Sequence, residues 1–508
     1  MSSQDWAAQK QLLRQCIAQR QGTHFGRRTG LAALDPSQEF AFLYEAFVQH
    51  TQVQSWPLFI EGLRQLAEAP QATPEQLYLQ PQLLLAQAPR YLARGRQGVY
   101  PLAAQGPLEA VVRLGQALEM LPGLPQRLRG ELFVLPENAG LEIQDKYTVG
   151  DVRMVQLLAA SRGRLPRPTG PAPQDLIRAG KSRLQVLHLC WQVLQQRGAA
   201  VGVLWASPQR LAELSLMAAQ QAGQAVPLRQ LCPQLQLVVA DGGDLSLYHA
   251  ELQHFMAGLP AVVLPAFTAP IGVLALPYHA QQPGVLALAL AAGTFYEFVP
   301  LEQLRSDGTV LSQATRFQVD NVPVGGQYAL VVTTLAGLTA VNTGDVVQVV
   351  QRAPLLLRYV RRAELLSPYQ EQLSAAVVTP ILAAIATALA PQGIFLRDYV
   401  LGVDVAARAP LWAIEINRPP QEVGAPLLGG VVTRLHQALL EQHPPYRQAF
   451  LGHRLQLPQC TFLPPGSLAQ LPPQARLSYL DTSATAALVK QACSLAGLHA
   501  LAVTANQV

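Results

Sequence analysis

The sequence predicts an α/β fold in two parts. A large N-terminal domain, residues 1–365, has sheets flanked by helices, and a smaller α+β C-terminal domain covers residues 366–508. Three observations lead there. Helical and strand patterns alternate from residue 100 to 300, the βαβ rhythm of a sheet covered by helices. After residue 293 the pattern turns to strands separated by glycine turns. Beyond residue 365 helix–strand alternation returns. With 508 residues, half of them apolar and 14% charged, the chain is long for one domain and rich enough in apolar residues for large cores.

The elements follow in order. Residues 1–20 pattern as an amphipathic helix that the glycines of "GTHFGRRTG" break. A second helix is expected around Pro36 to Gln49. A third, "WPLFIEGLRQLAEA", opens with Pro57 in its first turn, and a Gln- and Pro-rich connector runs from Ala69 to Leu85. Arg183 to Gly198 is a helix closed by glycine, Ala199 to Ser207 a buried strand, Pro208 to Gly223 a helix, and Leu235 to Gly243 a strand entering a glycine turn. "SLYHAELQHFMAG" is a helix. Five prolines between Ala257 and Gly293 divide that apolar region into short strands and turns. "DYVLGVDVAARAPLWAIEIN" reads as a hairpin and "VVTRLHQALLEQHPPYRQAF" as one long helix. In α/β sheets ligands bind beyond the carboxyl ends of strands, which singles out Asp241 to Gly243 and Phe267 to Gly272.

Charge and cysteine usage exclude several classes. The net charge of +5 is spread along the chain and the short basic stretches lack interleaved aromatics, so no nucleic-acid partner is expected. The apolar run Ala375 to Leu389 is short and broken by Pro380, and reads as a buried helix rather than a membrane span. The five cysteines are far apart without a C-x-x-C pair, which argues against a disulfide framework or zinc site. The polar, helical "MSSQDWAAQKQLLRQC" is unlike a signal peptide, so a cytoplasmic location is the expectation. Of the 37 basic residues only Lys10, Lys146, Lys181 and Lys490 are lysines.

Four segments carry a resemblance: "GTHFGRRTGL" with the following "FLYEAFVQHTQVQSWPLFIEGL", "FTAPIGVLAL", "TFYEFVPL", and "GQYALVVTTLAGLTAVNTGDVVQVV". In that order they resemble the auxin-responsive Gretchen-Hagen-type acyl acid–amido synthetases of the adenylate-forming superfamily. The last segment is the most specific, and the resemblance covers residues 5–365. It implies a large N-terminal domain, a small mobile C-terminal domain, an ATP site between them, and two-step chemistry. A carboxylate attacks the α-phosphate of Mg·ATP, and an amine, often an amino acid, then attacks the acyl-adenylate to give an amide.

Several residues which that chemistry needs are replaced. Where the superfamily has a hydroxyl-rich phosphate loop ending in Lys, this chain has "ARGRQG", leaving Arg94 and Arg96 as phosphate contacts. The metal-loop "A-S-E-G" reads Ala269, Pro270, Ile271, Gly272, and an isoleucine cannot coordinate a hard cation. Only Ala269 and Gly272 match. Gly344–Asp345 is intact, and by the resemblance Asp345 accepts hydrogen bonds from the ribose hydroxyls. The preceding "YRYR" positions are Thr339, Ala340, Val341 and Asn342. Phe295, Tyr296 and Phe298 are candidates for stacking on adenine, with core packing the competing role. The hinge-like "RRAELLSPYQEQL" keeps Arg362 and Glu371 but has Gln372 in place of Lys, and Lys490 lacks the motif that flanks the family's C-terminal lysine.

No catalytic residue and no metal ligand is therefore assigned, and two main expectations stand. One is a catalytically degenerate relative that works as a binding or partner protein. The other is an active ATP-dependent ligase for a small carboxylic acid and an amine. A transferase using a ready-made activated acyl group is a third reading without a dedicated motif. "RAGKS", Arg178 to Ser182, has the tail of a phosphate-loop motif but not its head.

Overall fold

The computed structural model describes residues 3–55 apart from 23, the segments 91–95, 98–102, 130–136, 142–143 and 148–151, residue 171, and residues 183–504 with breaks at 224–225, 242–244, 270, 280, 283, 291–292, 306–307, 364–365, 469–486, 488 and 495–499. The chain opens with α1 (Ser3–Gln21), a short α2 (His24–Thr29) and α3 (Phe40–His50). α1 ends at Gln21, immediately before the glycine-rich stretch, as expected, and the middle of that stretch forms the short α2. Gly30, whose φ of +84° favours glycine, follows the end of α2. A Cβ there would also lie 2.7 Å from the His50 ring. The expected third helix and the connector after it lie outside the described residues, as does "RAGKS".

Next come β1 (Gln54–Ser55), β2 (Tyr91–Gly95), β3 (Gly98–Leu102), β4 (Glu131–Val134), β5 (Glu142–Ile143) and β6 (Thr148–Asp151). Four of them form a separate sheet in the order β3-β2-β6-β5. The expected alternation follows: α4 (Arg183–Arg197), β7 (Val201–Ala206), α5 (Pro208–Ala222), β8 (Leu237–Asp241), α6 (His249–Phe255) and β9 (Val262–Ala269). β4, β7, β8 and β9 pair in parallel. Every residue of β7 is buried, as a parallel strand covered on both faces requires. α5 starts sharply because Ser207 caps it, accepting the Arg210 N–H, with Pro208 in the first turn. It ends at Gly223, φ +67°.

The chain then turns antiparallel through β10 (Gly272–Pro277), β11 (Leu286–Leu288), β12 (Thr294–Pro300), β13 (Phe317–Gln318), β14 (Gln327–Thr334), β15 (Val341–Gln351) and β16 (Leu356–Arg362). All join one twelve-stranded sheet in the order β13-β12-β14-β15-β16-β11-β10-β9-β8-β7-β4, with β1 alongside β15.

Beyond it come α7 (Ala375–Leu389), β17 (Leu396–Asp404), β18 (Ala409–Ile416), α8 (Ala425–Gln442), α9 (Pro444–Leu451), β19 (Gln459–Leu463) and β20 (Leu501–Thr504). A third sheet has the order β17-β18-β19-β20, and the expected hairpin is β17–β18. The long helix expected over 431–450 is two helices. Pro444 lacks an N–H and disfavours the helical region for His443, which sits at φ −126°, ψ 91°. With residues 390–392, α7 is apolar and long enough to match a membrane span by composition, and 33% of that window is buried. Its buried residues, Val378, Ile381, Leu382, Ile385, Ala386 and Leu389, follow helical spacing on one face. The helix packs against α8, β16 and the turn Ser246–Tyr248. The main apolar cluster, from Leu12 to Val503, runs through the twelve-stranded sheet and the β17–β20 sheet, with smaller clusters beside it.

Candidate functional site

The turn from β14 into β15 carries the most specific motif. Its backbone is tightly specified. The Thr334 N–H donates to Leu338 O at 2.8 Å, and Ala340, at φ +48°, donates its N–H to Thr333 Oγ1 at 2.9 Å. Arg20 enters from α1 and is fully buried. Its Nε donates to Thr339 Oγ1 at 2.6 Å, Nη1 to Cys16 O at 2.6 Å, and Nη2 to Thr334 O and Leu338 O at 2.9 and 2.8 Å. Burial pushes the Cys16 thiol up and the Arg20 guanidinium down from their ordinary values. Where the resembled motif has tyrosines and arginines, this turn is thus held by one arginine from another element.

The turn delivers Asp345. Asn342 Oδ1 accepts the Gly344 N–H at 2.9 Å, and Gly344 adopts φ +74°, a conformation that glycine alone takes readily. Asp345 follows, its N–H donating to Thr343 Oγ1 at 3.2 Å, with only 5% of the residue exposed. The Tyr359 hydroxyl on β16 donates to Asp345 Oδ1 at 3.5 Å, and the Tyr359 ring lies 5.3 Å from that of Phe267 on β9. Phe267 precedes the β9–β10 hairpin, where Ala269 pairs with Gly272. Tyr359 thus stands between Asp345 and Phe267, which lies two residues before Ala269 on the same strand. Phe267 opens one of the two stretches singled out in sequence, whereas Tyr359 was not singled out, because its strand pattern does not differ from that of a core strand.

At that hairpin Gly272 has φ +133° with open space where a side chain would stand, and Ile271 packs, partly buried, against the main core. Pro270 lies outside the described residues. Among the described residues no group of three or more His, Cys, Asp and Glu could hold a metal ion. The donors at this place do not fit magnesium, a hard cation that takes oxygen ligands. At the other strand end singled out in sequence, Asp241 is buried and its Oδ1 accepts the Trp205 indole N–H at 2.7 Å.

The remaining candidates separate. Tyr296 and Phe298 on β12 have no exposed surface, and Phe295 is equally enclosed. The expected adenine platform is core: both faces of β12 are covered, so no ring face is open to a base. The Tyr296 hydroxyl donates to Ala289 O at 3.3 Å, and burial pushes it up. Arg94 lies on β2 with its side chain outside the description. Arg96 lies outside the described residues, between Gly95 and Gly98, which pair across β2–β3. Lys490 is exposed and pairs with Asp404 at 3.3 Å. In the hinge-like segment Glu371 is fully buried between two residues of positive φ, Gln370 and Gln372 (+68° and +50°), and burial pushes its carboxyl up.

Two buried ion pairs complete the picture. Glu297, inside "TFYEFVPL", is clasped by Arg316 through Nε–Oε1 at 2.8 Å and Nη2–Oε2 at 2.6 Å. The Tyr44 hydroxyl also donates to Glu297 Oε1 at 2.8 Å, and Arg316 Nη1 donates to Thr51 O at 2.8 Å. Elsewhere, Arg397 on β17 meets Glu251 on α6 end-on at 2.5 Å.

Residues 287–362, from β11 to the end of β16, match the GH3 family central domain. The chain is similar to a human GH3 domain-containing protein, 35% identical over 143 residues, 28% of this chain and 26% of the relative. It is also similar to the probable indole-3-acetic acid-amido synthetase GH3.12 of Oryza sativa subsp. japonica, 27% identical over 221 residues, 36% of each. The matched regions thus span between about a quarter and about a third of these relatives. In structure the chain is similar to the GH3.15 acyl acid amido synthetase, TM-score 0.66 at 12% identity over 99% of this chain and 96% of that one. It is also similar to 2-hydroxyisobutyryl-CoA ligase in complex with R3-HIB-AMP, TM-score 0.58 at 14% identity over 96% and 91%. At such identities the likeness shows the adenylate-forming fold.

Proposed function

Starting from a chain that carries a GH3-family central domain on an adenylate-forming fold, we propose that it is a member of this family that kept the architecture, lost carboxylate activation, and works as a binding or partner protein. The observation that carries this reading is Ile271. It stands at the metal-loop carboxylate position and turns an apolar side chain against the core. Charge neutralisation on the triphosphate is the usual largest contribution to such catalysis, and a hydrocarbon supplies none of it. The enclosed rings of Tyr296 and Phe298 support the same reading.

The second reading, an active ATP-dependent amide synthetase, is favoured by one observation: Asp345 is retained and positioned beside the Tyr359 hydroxyl. A small carboxylic acid and an amine would be its substrates. Under either reading we place the protein in the cytosol, where its cysteines, none in a disulfide, suit a reducing environment. We also place the domain division near residue 365, between the strand that ends the large sheet and the helix that precedes the small one.

Titration calorimetry with Mg·ATP tests the choice, with Asp345→Ala as control, followed by pyrophosphate exchange over a panel of carboxylic acids. No heat up to millimolar nucleotide and no exchange is the expected result. Micromolar binding that disappears in Asp345→Ala, with exchange, would establish the second reading.

A further inference from the structure

β17 and β18 pair as a hairpin, but the register slips at one point. Leu396 faces Ile416 and Asp398 faces Glu415, so Arg397 and Asp398 together oppose one residue. This is a β-bulge, a device that re-aims a side chain. Arg397 is the bulged residue, and its side chain reaches away from the small sheet. Its Nη2 reaches Glu251 Oε1 on α6 at 2.5 Å and Ala212 O on α5 at 3.3 Å. Arg397 is 6% exposed and Glu251 5%. Phe395, two residues before, lies 5.5 Å from the His254 ring on the same α6.

The pair is incompletely satisfied. Among the described residues neither Arg397 Nε nor Glu251 Oε2 has a hydrogen-bond partner, although both are buried. Burying a charged pair costs desolvation that only good geometry and full hydrogen bonding offset. An end-on contact with an idle donor and an idle acceptor is a poor way to gain stability. It is a good way to choose one docking position, because any other seating of β17 would bury two separated charges. We propose that Arg397 and Glu251 form a register key that selects a single seating of the small sheet on α5 and α6, at a cost in stability. The proposal rests on the reading that the chain no longer activates carboxylates, because the ligase reading implies a small domain that moves.

Stability and uniqueness of seating then respond in opposite directions, and both can be read. Spin labels at Phe42→Cys on α3 and Leu451→Cys on α9, both 65% exposed, span the two parts. Cys493→Ser removes the half-buried thiol, and the other four cysteines are buried. In the full chain with an intact key, pulsed dipolar spectroscopy is expected to give one narrow distance. The paired variant Glu251→Leu with Arg397→Met is expected to melt at the same or a higher temperature, yet to broaden or split that distance. Its amide exchange in β17 is expected to quicken at least tenfold. Arg397→Lys keeps the charge and the single end-on bond, and is expected to retain the narrow distance. A single narrow distance in the folded paired variant would overturn the proposal. Should that variant not fold, Arg397→Met alone gives the same decision: broadening upholds the key, and an unchanged distance overturns it.

Discussion

Glu297–Arg316 and Glu251–Arg397 are both buried ion pairs, but they are built differently. The first is a two-pronged fork, with Tyr44 and Thr51 taking up further hydrogen-bonding capacity. It joins β12 to the segments around α3 and β13, inside the region that matches the family's central domain or next to it. The second uses one guanidinium nitrogen and leaves two polar atoms idle. Full satisfaction in a low-dielectric site strengthens each bond and makes its loss expensive. Partial satisfaction makes the pair replaceable in energy, though not in geometry. The retained motif thus includes a well-built electrostatic core, while the junction with the small sheet rests on a selective contact.

Breaking the fork should give the largest effect. Glu297→Gln leaves the buried Arg316 without its counter-charge and is expected to cost about 3–5 kcal/mol, read as a fall in the urea midpoint at unchanged slope. A loss below about 1 kcal/mol would put this pair in the same class as the other.

Glu415 on β18 is a third kind of buried carboxylate, held by the backbone N–H groups of Gly466 and Leu468 at 2.8 Å each. Burial pushes its carboxyl up to about 7 from 4.5. With the folded value above the unfolded one, the folded state binds the extra proton between these values. The associated stability is present below pH 4.5 and is lost as pH rises through 7. The difference 7 − 4.5 = 2.5 corresponds to about 3 kcal/mol at most. Melting temperature measured from pH 5 to pH 8 should decline for the native chain, apart from other titrating groups, and decline less for Glu415→Gln.

Arg397→Met leaves Glu251 buried with no hydrogen-bond partner among the described residues and should destabilise by about 3 kcal/mol, the low end of the range for the fork variant, because a single bond to the carboxylate is lost. Equal losses in Arg397→Met and Glu297→Gln would erase the distinction. The smallest effect is expected from Tyr44→Phe, about 1–2 kcal/mol for one hydroxyl bond to a carboxylate. Burial, then the Glu297 carboxylate, push this hydroxyl up, so it remains a donor throughout the accessible pH range. The loss should therefore be the same at pH 6 and pH 9, and a pH-dependent loss would contradict that assignment.

Much of the architecture was legible because it rests on local pattern. The alternation from Arg183 to Ala269 names α4, β7, α5, β8, α6 and β9 in order, since each buries one stripe or both faces. The α8–α9 break was missed although Pro444 was in view, because the apolar spacing continues across it. At the candidate site, the glycine turn before Asp345 was legible from the motif, and the presence of Ile271 in place of a carboxylate was legible from residue type alone. The enclosure of Tyr296 and Phe298 was not, since an aromatic in a strand reads the same whether its far side meets solvent, ligand or another layer.

By itself the sequence determined the α/β class, the order of its strands and helices along the chain, and which chemical groups are present or replaced. These depend on periodicity, turn chemistry and side-chain identity, which act over a few residues. Only the tertiary structure decided which distant groups meet. Arg20 finds its partners in Thr334, Leu338 and Thr339, 314 to 319 residues away, and Arg397 reaches Glu251 across 146 residues. A buried charge takes whatever acceptor the packing brings within bonding distance, and nothing near it in the chain records which one that is.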